Sequence, residues 1–245
     1  MITIAHRGAS AVAPENTLAA FKEAVRLGAD MIELDVRLSS DGAVVVFHDR
    51  DLSRTSDGTG PVEDLPLAGM KRLDAGSWFS GRFQGERIPT LEEAIQTIYS
   101  SRLELCIEIK IDKGREELRR ELVSGTIDII DRTGFRDRVI MASFDRESIR
   151  VSRAARPDIR TGLIFNKDEV WAECEEGSYV GLDFLSARWN IITASRVSAA
   201  HQKGRKVIAW TIDREEELDW VLPLSVDAVA SNNPEWLVNS IGSGE

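Results

Sequence analysis

Residues 31–48 read MIELDVRLSSDGAVVVFH, and the choice of fold turns on how this stretch doubles back on itself. Two apolar runs, Met31–Arg37 and Ala43–His48, are separated only by Leu38-Ser39-Ser40-Asp41-Gly42. A parallel crossover needs a dozen or more residues, so the two runs cannot be parallel neighbours. Asp41-Gly42 is a hairpin-turn dipeptide. The second run is therefore expected to return antiparallel on the first. A turn centred near Ser40–Asp41 brings His48 back to about the level of Glu33.

Working outward, further strand-like runs are Ile2–His6, Leu103–Lys110, Arg138–Ser143, Arg160–Phe165, Tyr179–Leu185, Lys206–Thr211 and Asp227–Ser231. Helical stretches lie between most of them. Asn16 can cap a helix running to Leu27, with Gly28 beyond its end. Thr90 with Glu93, and Asp213 with Glu216, read as capping boxes, and Gly204 follows a helix containing Val197 and Ala200. Such alternation predicts an α/β fold with a parallel sheet. With the hairpin strand set aside, the other eight runs can close a (β/α)₈ TIM barrel of ordinary length. The whole chain, 1–245, then reads as one domain. Residues 49–87 break the alternation and are rich in Gly, Asp and Ser, with one short helical candidate around Leu67–Leu73. They are expected to be a small insertion capping the C-terminal mouth of the barrel, with Trp78, Phe79 and Phe83 in need of burial.

The chain carries 42% hydrophobic and 29% charged residues, an ordinary globular balance that argues against disorder. A formal charge of −10 opposes nonspecific binding to nucleic acid or anionic membranes. An anionic substrate would need a locally positive site. No apolar run is long enough for a membrane span. Met1-Ile2-Thr3-Ile4-Ala5 enters a strand at once, so no signal peptide is expected. Cys106 and Cys174 form neither a metal-ligand spacing nor a disulfide framework, which suits a reducing cytoplasm.

Side chains alternate along a strand, so Glu33 and Asp35 share one face while Ile32, Leu34 and Val36 share the other. The apolar face suits the helix layer, which turns the carboxylates into the barrel. Glu108-Ile109-Lys110 repeats the pattern. If Glu33, Asp35 and Glu108 converge, like charges ~4 Å apart repel by about 4 kcal/mol per pair at an effective dielectric of 20. One divalent cation on three hard oxygen ligands would relieve that repulsion, Mg²⁺ or Ca²⁺ with Mn²⁺ also admissible. Internal salt bridges, Glu108 with Lys110 or Glu33 with Arg37, are the alternative. His6 ends the first strand, at the end of a barrel where active sites sit, and His48 ends the hairpin strand beside the carboxylates. Two imidazoles flanking a metal are the parts needed for acid–base phosphoryl chemistry. Arg7 could hold a phosphate oxygen or sit in a surface salt bridge. Trp210 could wall a substrate carbon chain or belong to the core. Asn16 is accounted for as a helix cap, and His201 as a surface residue.

These residues, read together, resemble the bacterial glycerophosphodiester phosphodiesterases. The matching stretches are His6-Arg7-Gly8, Pro14-Glu15-Asn16-Thr17, Glu33-Leu34-Asp35-Val36, Asp41-Gly42, His48-Asp49, Arg54-Thr55, Asp74-Ala75-Gly76, Ile88 to Glu93, Glu108-Ile109-Lys110 and Trp210-Thr211. Each is weak alone; their order and spacing make the match specific. The resemblance implies a TIM barrel with a small insertion, and hydrolysis of glycerophosphodiesters to glycerol 3-phosphate and an alcohol. It implies metal ligands at Glu33, Asp35 and Glu108, acid–base roles at His6 and His48, and phosphate or substrate contacts at Arg7, Lys110 and Trp210. Two departures stand out. The family usually ends its last strand with Thr-Asp before an Xaa-Pro, where this chain has Ser231-Asn232-Asn233-Pro234. Its usual Trp-Thr-Xaa-Asn reads Trp210-Thr211-Ile212-Asp213 here. Two other readings carry weight: a lysophospholipase D-like activity served by an apolar rim around Trp78 and Phe83, and a non-catalytic barrel that binds phosphorylated ligands.

Overall fold

The computed structural model describes residues 1–175 and 181–242. In chain order the elements are β1 (Ile2–His6), α1 (Leu18–Arg26), β2 (Met31–Leu38), β3 (Val44–Val46), α2 (Leu67–Met70), α3 (Leu91–Ile98), β4 (Glu104–Ile109), α4 (Arg119–Thr133), β5 (Val139–Ser143), α5 (Arg146–Ala155), β6 (Arg160–Phe165), α6 (Asp168–Glu175), β7 (Phe184–Arg188), α7 (Ala194–Gln202), β8 (Lys206–Trp210), α8 (Glu215–Val221), β9 (Ala228–Ser231) and α9 (Pro234–Gly242). The strands join in the order β1-β9-β8-β7-β6-β5-β4-β2, and β1 pairs with β2 to close the ring. Every pairing within the ring is parallel, while β3 lies outside it, antiparallel on β2. The fold is a (β/α)₈ TIM barrel with one extra strand.

The hairpin forms as its sequence demands. Ser39 N–H donates to the Ala43 carbonyl at 2.9 Å, and Gly42 takes the left-handed φ of 79° that the turn requires. Pairing runs Val36 with Val46, Arg37 with Val45 and Leu38 with Val44. Strand β3 is shorter than the apolar run Ala43–His48, although Phe47 N–H still reaches the Asp35 carbonyl at 3.0 Å. The outer edge of β3 is covered by the segment before α3: Val46 N–H donates to the Pro89 carbonyl and Val45 bridges to Thr90.

Alternation along β2 sorts its residues as expected. Ile32, Leu34, Val36 and Leu38 pack outward into the core shared with Phe21 of α1, Ile95 of α3 and Ile130 of α4. The ring interior holds an apolar plug that includes Ile4, Met31, Cys106, Ile140, Ile164 and Ile208. Residues 49–87 build a satellite core on β3, where Leu52, Val62, Met70 and Ala75 pack against Val45 and Phe47. Trp78, Phe79 and Phe83 stack edge to face at 5.6 and 5.7 Å, yet Trp78 stays 41% exposed.

Three local expectations are corrected. The cap of α1 is Thr17, whose hydroxyl accepts from Ala20 N–H, because the Asn16 side chain is engaged elsewhere. Arg214, not Asp213, stands at the cap position of α8, and Asp213 instead donates its backbone N–H to Glu217. Strand β7 begins at Phe184 and runs to Arg188, later than the run Tyr179–Leu185, of which Tyr179 and Val180 lie outside the described residues. Its register is set by neighbours, Gly162 on one side and Lys206 on the other both pairing with Phe184. The Thr90–Glu93 capping box and Gly204 beyond α7 stand as expected. Among the described residues no helix is long and apolar enough to cross a membrane.

The turn after β1 depends on one glycine. Gly8 has φ 81°, and a Cβ there would sit 2.7 Å from Ala20 Cβ and 2.8 Å from the Ala20 carbonyl carbon. Overpacking against a helix backbone plus a left-handed φ should cost Gly8→Ala about 2–4 kcal/mol. At roughly 2–4 °C per kcal/mol for a chain of this size, Tm should fall by at least about 4 °C in a calorimetric scan. An unchanged Tm would contradict the close approach of this turn to α1.

Candidate active site

Neighbouring strands bring the acidic residues together. Parallel register sets His6 beside Glu33 across β1 and β2, and Asp35 beside Glu108 across β2 and β4. Glu33, Asp35 and Glu108 are all buried, and each offers an oxygen within 4.8 Å of the other two. At that separation two unit charges repel by about 3.5 kcal/mol at an effective dielectric of 20. Burial, with Asp35 and Glu108 nearby, pushes the Glu33 carboxyl well above its ordinary range. Burial also lifts Glu108 to about 6, although Lys110 pulls it back. Asp35 goes the other way: burial would raise it, but Lys110, Arg7, His48 and the Asn16 hydrogen bond together hold it down to about 2.

Cations partly offset the cluster. Lys110 Nζ donates to Glu108 Oε1 at 2.7 Å and lies 3.6 Å from Asp35 Oδ1. Arg7 has φ 59°, which turns its backbone N–H onto Glu33 Oε2 at 3.0 Å. Its guanidinium sits between Glu15, at 2.8 Å, and Asp35, at 3.5 Å, so it belongs to the site and not to a surface ion pair. Among the described residues no hydrogen-bond partner reaches the buried Asp35 Oδ1. An unsatisfied carboxylate oxygen amid a surplus of buried acid is what a divalent cation with oxygen ligands fits. Of the two internal salt bridges considered, Glu108–Lys110 forms. Arg37 does not pair with Glu33; it reaches the Asp112 carboxylate and the His48 carbonyl instead.

Both histidines join the cluster. His6 and His48 line, with Arg7, Glu33, Glu108, Lys110 and Trp210, a cavity of about 150 Å³ at the C-terminal ends of the strands. Asp35 lies just behind this lining. Burial first, then the nearby Arg7, lowers His6 to about 4. Burial and the Lys110 and Arg7 charges likewise lower His48, against the pull of Asp35 and Asp49. Trp210 faces the cavity with Phe144 against it, edge to face at 5.7 Å. His201 is remote, on the exposed side of α7 with Asp227.

Several residues at the site were not assigned from sequence. Asn16 has φ 57°, and its amide grips Asp35 twice, donating to Oδ2 at 2.8 Å and accepting from Asp35 N–H at 3.3 Å. Reading it as a helix cap hid that contact, which ties the segment just before α1 to β2. Arg54 donates to both Glu15 oxygens, at 2.8 and 2.7 Å, and to Asp49, whose other contact is His48 Nδ1 at 2.5 Å. It thereby ties residues 49–87 to the partners of both Arg7 and His48. Phe144, 44% exposed, follows β5 directly, and that strand-end position was the available signal.

Comparison with known proteins places the chain among relatives of the same fold. The sequence profile of the glycerophosphoryl diester phosphodiesterase family matches residues 6–236. A glycerophosphodiester phosphodiesterase of Caldanaerobacter subterraneus subsp. tengcongensis is 38% identical, over 99% of this chain and 98% of that protein. The solved structure of an Oleispira antarctica phosphodiesterase in complex with the product sn-glycerol-3-phosphate superposes with a TM-score of 0.91 at 35% identity, over 99% of this chain and 97% of that one. A glycerophosphodiester phosphodiesterase of Agrobacterium tumefaciens superposes at 0.84 with 26% identity, covering 98% of this chain and 99% of the other. Matched over nearly its whole length by the family profile, and 38% identical to a named member over 99% of its residues, the chain belongs to the glycerophosphoryl diester phosphodiesterase family.

Proposed function

We propose that this chain is a metal-dependent phosphodiesterase that hydrolyses glycerophosphodiesters, such as glycerophosphocholine and glycerophosphoethanolamine, to sn-glycerol 3-phosphate and an alcohol. The observation that carries the reading is the convergence of Glu33, Asp35 and Glu108 beside two imidazoles that line the same cavity. The three carboxylates would hold one divalent cation, Mg²⁺, Ca²⁺ or Mn²⁺, which when bound supplies Lewis-acid polarisation and charge neutralisation at phosphate. Arg7 and Lys110 add fixed positive charge at the cavity, against a chain whose net charge is −10. Trp210 walls the cavity opposite the acids and orients the carbon portion of the substrate. His6 and His48 move the protons: one imidazole takes a proton from the attacking hydroxyl, of water or of the substrate glycerol, and the other gives one to the departing alcohol. Both are neutral near pH 7 in the bare cavity because burial disfavours their charge, so one must gain its proton as anionic substrate enters. Residues 49–87 would shape access to the mouth, a role supported by Arg54 on Glu15 and Arg82 on the Val12 carbonyl. The two buried, unpaired cysteines suit a cytoplasmic enzyme.

Replacing either histidine by Ala should lower kcat for glycerophosphocholine by at least about 10²-fold, with circular dichroism and Tm unchanged. Near-normal turnover in both variants would refute the acid–base assignment. Treatment with EDTA should abolish release of glycerol 3-phosphate, and adding back Mg²⁺, Ca²⁺ or Mn²⁺ singly should restore it for at least one ion. Full activity in the presence of excess chelator would refute metal dependence. Lysophosphatidylcholine, assayed in parallel, should be the poorer substrate; preference for it would favour the lysophospholipase D-like activity.

A further inference from the structure

The two positions where the chain departs from its family's usual residues meet directly behind His6. Asn232 follows the end of β9, and its Oδ1 lies 2.7 Å from His6 Nδ1. Its Nδ2 donates to Asp213 Oδ2 at 2.5 Å. The remaining Asp213 oxygen accepts the Ser231 hydroxyl at 2.9 Å and the Asn232 backbone N–H at 2.8 Å. Ser10 Oγ lies 2.8 Å from the His6 carbonyl and 3.0 Å from Asn232 Oδ1.

This chain of contacts admits only one arrangement of hydrogens. A carboxylate accepts and does not donate, so Asp213 requires the NH₂ end of the Asn232 amide. The carbonyl end then faces His6. A carbonyl oxygen only accepts, so His6 Nδ1 must carry a hydrogen. In the neutral ring the lone pair is left on Nε2. That atom stands 3.9 Å from Glu33 Oε2, too far for a hydrogen bond, and the ring lines the cavity. We infer that Asp213 and Asn232 form a two-step relay that fixes neutral His6 as its Nδ1–H tautomer and keeps Nε2 open as the proton acceptor. Both are positioning residues, and their role rests on the acid–base reading of His6.

Exchanging the two groups, a carboxylate at 232 and an amide at 213, would likewise set an acceptor against Nδ1 and retain one carboxylate in the pair.

The test is ¹⁵N NMR of the full chain labelled at histidine, at a pH where the imidazoles are neutral, with His6 assigned by a His6→Gln variant. Wild-type His6 should show a protonated Nδ1 and an unprotonated Nε2. In Asp213→Asn the amide of Asn232 is free to turn, so the tautomer should mix or invert. The same variant should lose at least on the order of 10²-fold in kcat, the lower end of what a positioned acid–base group contributes, with KM little changed. The exchanged pair Asn232→Asp with Asp213→Asn should restore both the tautomer and most of kcat, which a merely structural contact would not do. Wild-type His6 protonated at Nε2 overturns the relay, as does an Asp213→Asn chain that keeps both tautomer and kcat. These results are separable from the parent reading: full turnover in His6→Ala sinks the acid–base role, while the wild-type tautomer still decides the relay.

Discussion

Mutual repulsion among Glu33, Asp35 and Glu108 is the constraint around which the mouth of the barrel is organised. Burying three carboxylates within 4.8 Å of one another would be prohibitive without compensation. Arg7, Lys110 and the Asn16 amide supply part of it, enough to hold Asp35 ionised. They do not supply enough for Glu33, whose carboxyl is driven well up. The structure is thus short of positive charge at one point, beside a buried oxygen with no hydrogen-bond partner among the described residues. A site frustrated in this way is poorly designed for stability and well suited to binding a cation.

The frame holds those groups by backbone means more than by side-chain packing. Parallel register aligns Asp35 with Glu108, and pairing of β1 with β2 sets His6 beside Glu33. Left-handed φ angles at Arg7, Gly8 and Asn16 bend the segment after β1 back over β2, so that a backbone N–H and an amide both reach the acids. The hairpin delivers His48 from outside the ring, and Arg37 pins the His48 carbonyl from the interior face of β2. Arg54 then couples the two sides, through Glu15 to Arg7 and through Asp49 to His48.

What was legible from the sequence follows the range of the interactions involved. Period-two alternation is a local signal, and it placed Glu33, Asp35 and Glu108 on the interior face. The five-residue linker at 38–42 forced the hairpin, because chain length alone forbids the alternative. Roles set by contacts distant in sequence were not legible. Asn16 and Asp213 both stand where a helix cap would be expected, and both are occupied instead by partners on or just beyond the neighbouring strand, Asp35 and Asn232. The β7 boundaries were missed for a similar reason, since neighbouring strands and not the apolar pattern fix where β7 pairs. Strand-end positions beside the carboxylates suggested acid–base roles for His6 and His48, and the resemblance to a family implied the same pair, while neither separated the acid from the base.

The most direct test of the cation site is calorimetric titration of the metal-stripped protein with Mg²⁺, Ca²⁺ and Mn²⁺ in turn, repeated on Asp35→Asn. One ion per chain should bind to the wild type for at least one of the three metals, with affinity at least about tenfold weaker once the Asp35 charge is removed. Absence of binding for all three, or an affinity indifferent to Asp35, would contradict the claim that these buried carboxylates are gathered to hold a cation.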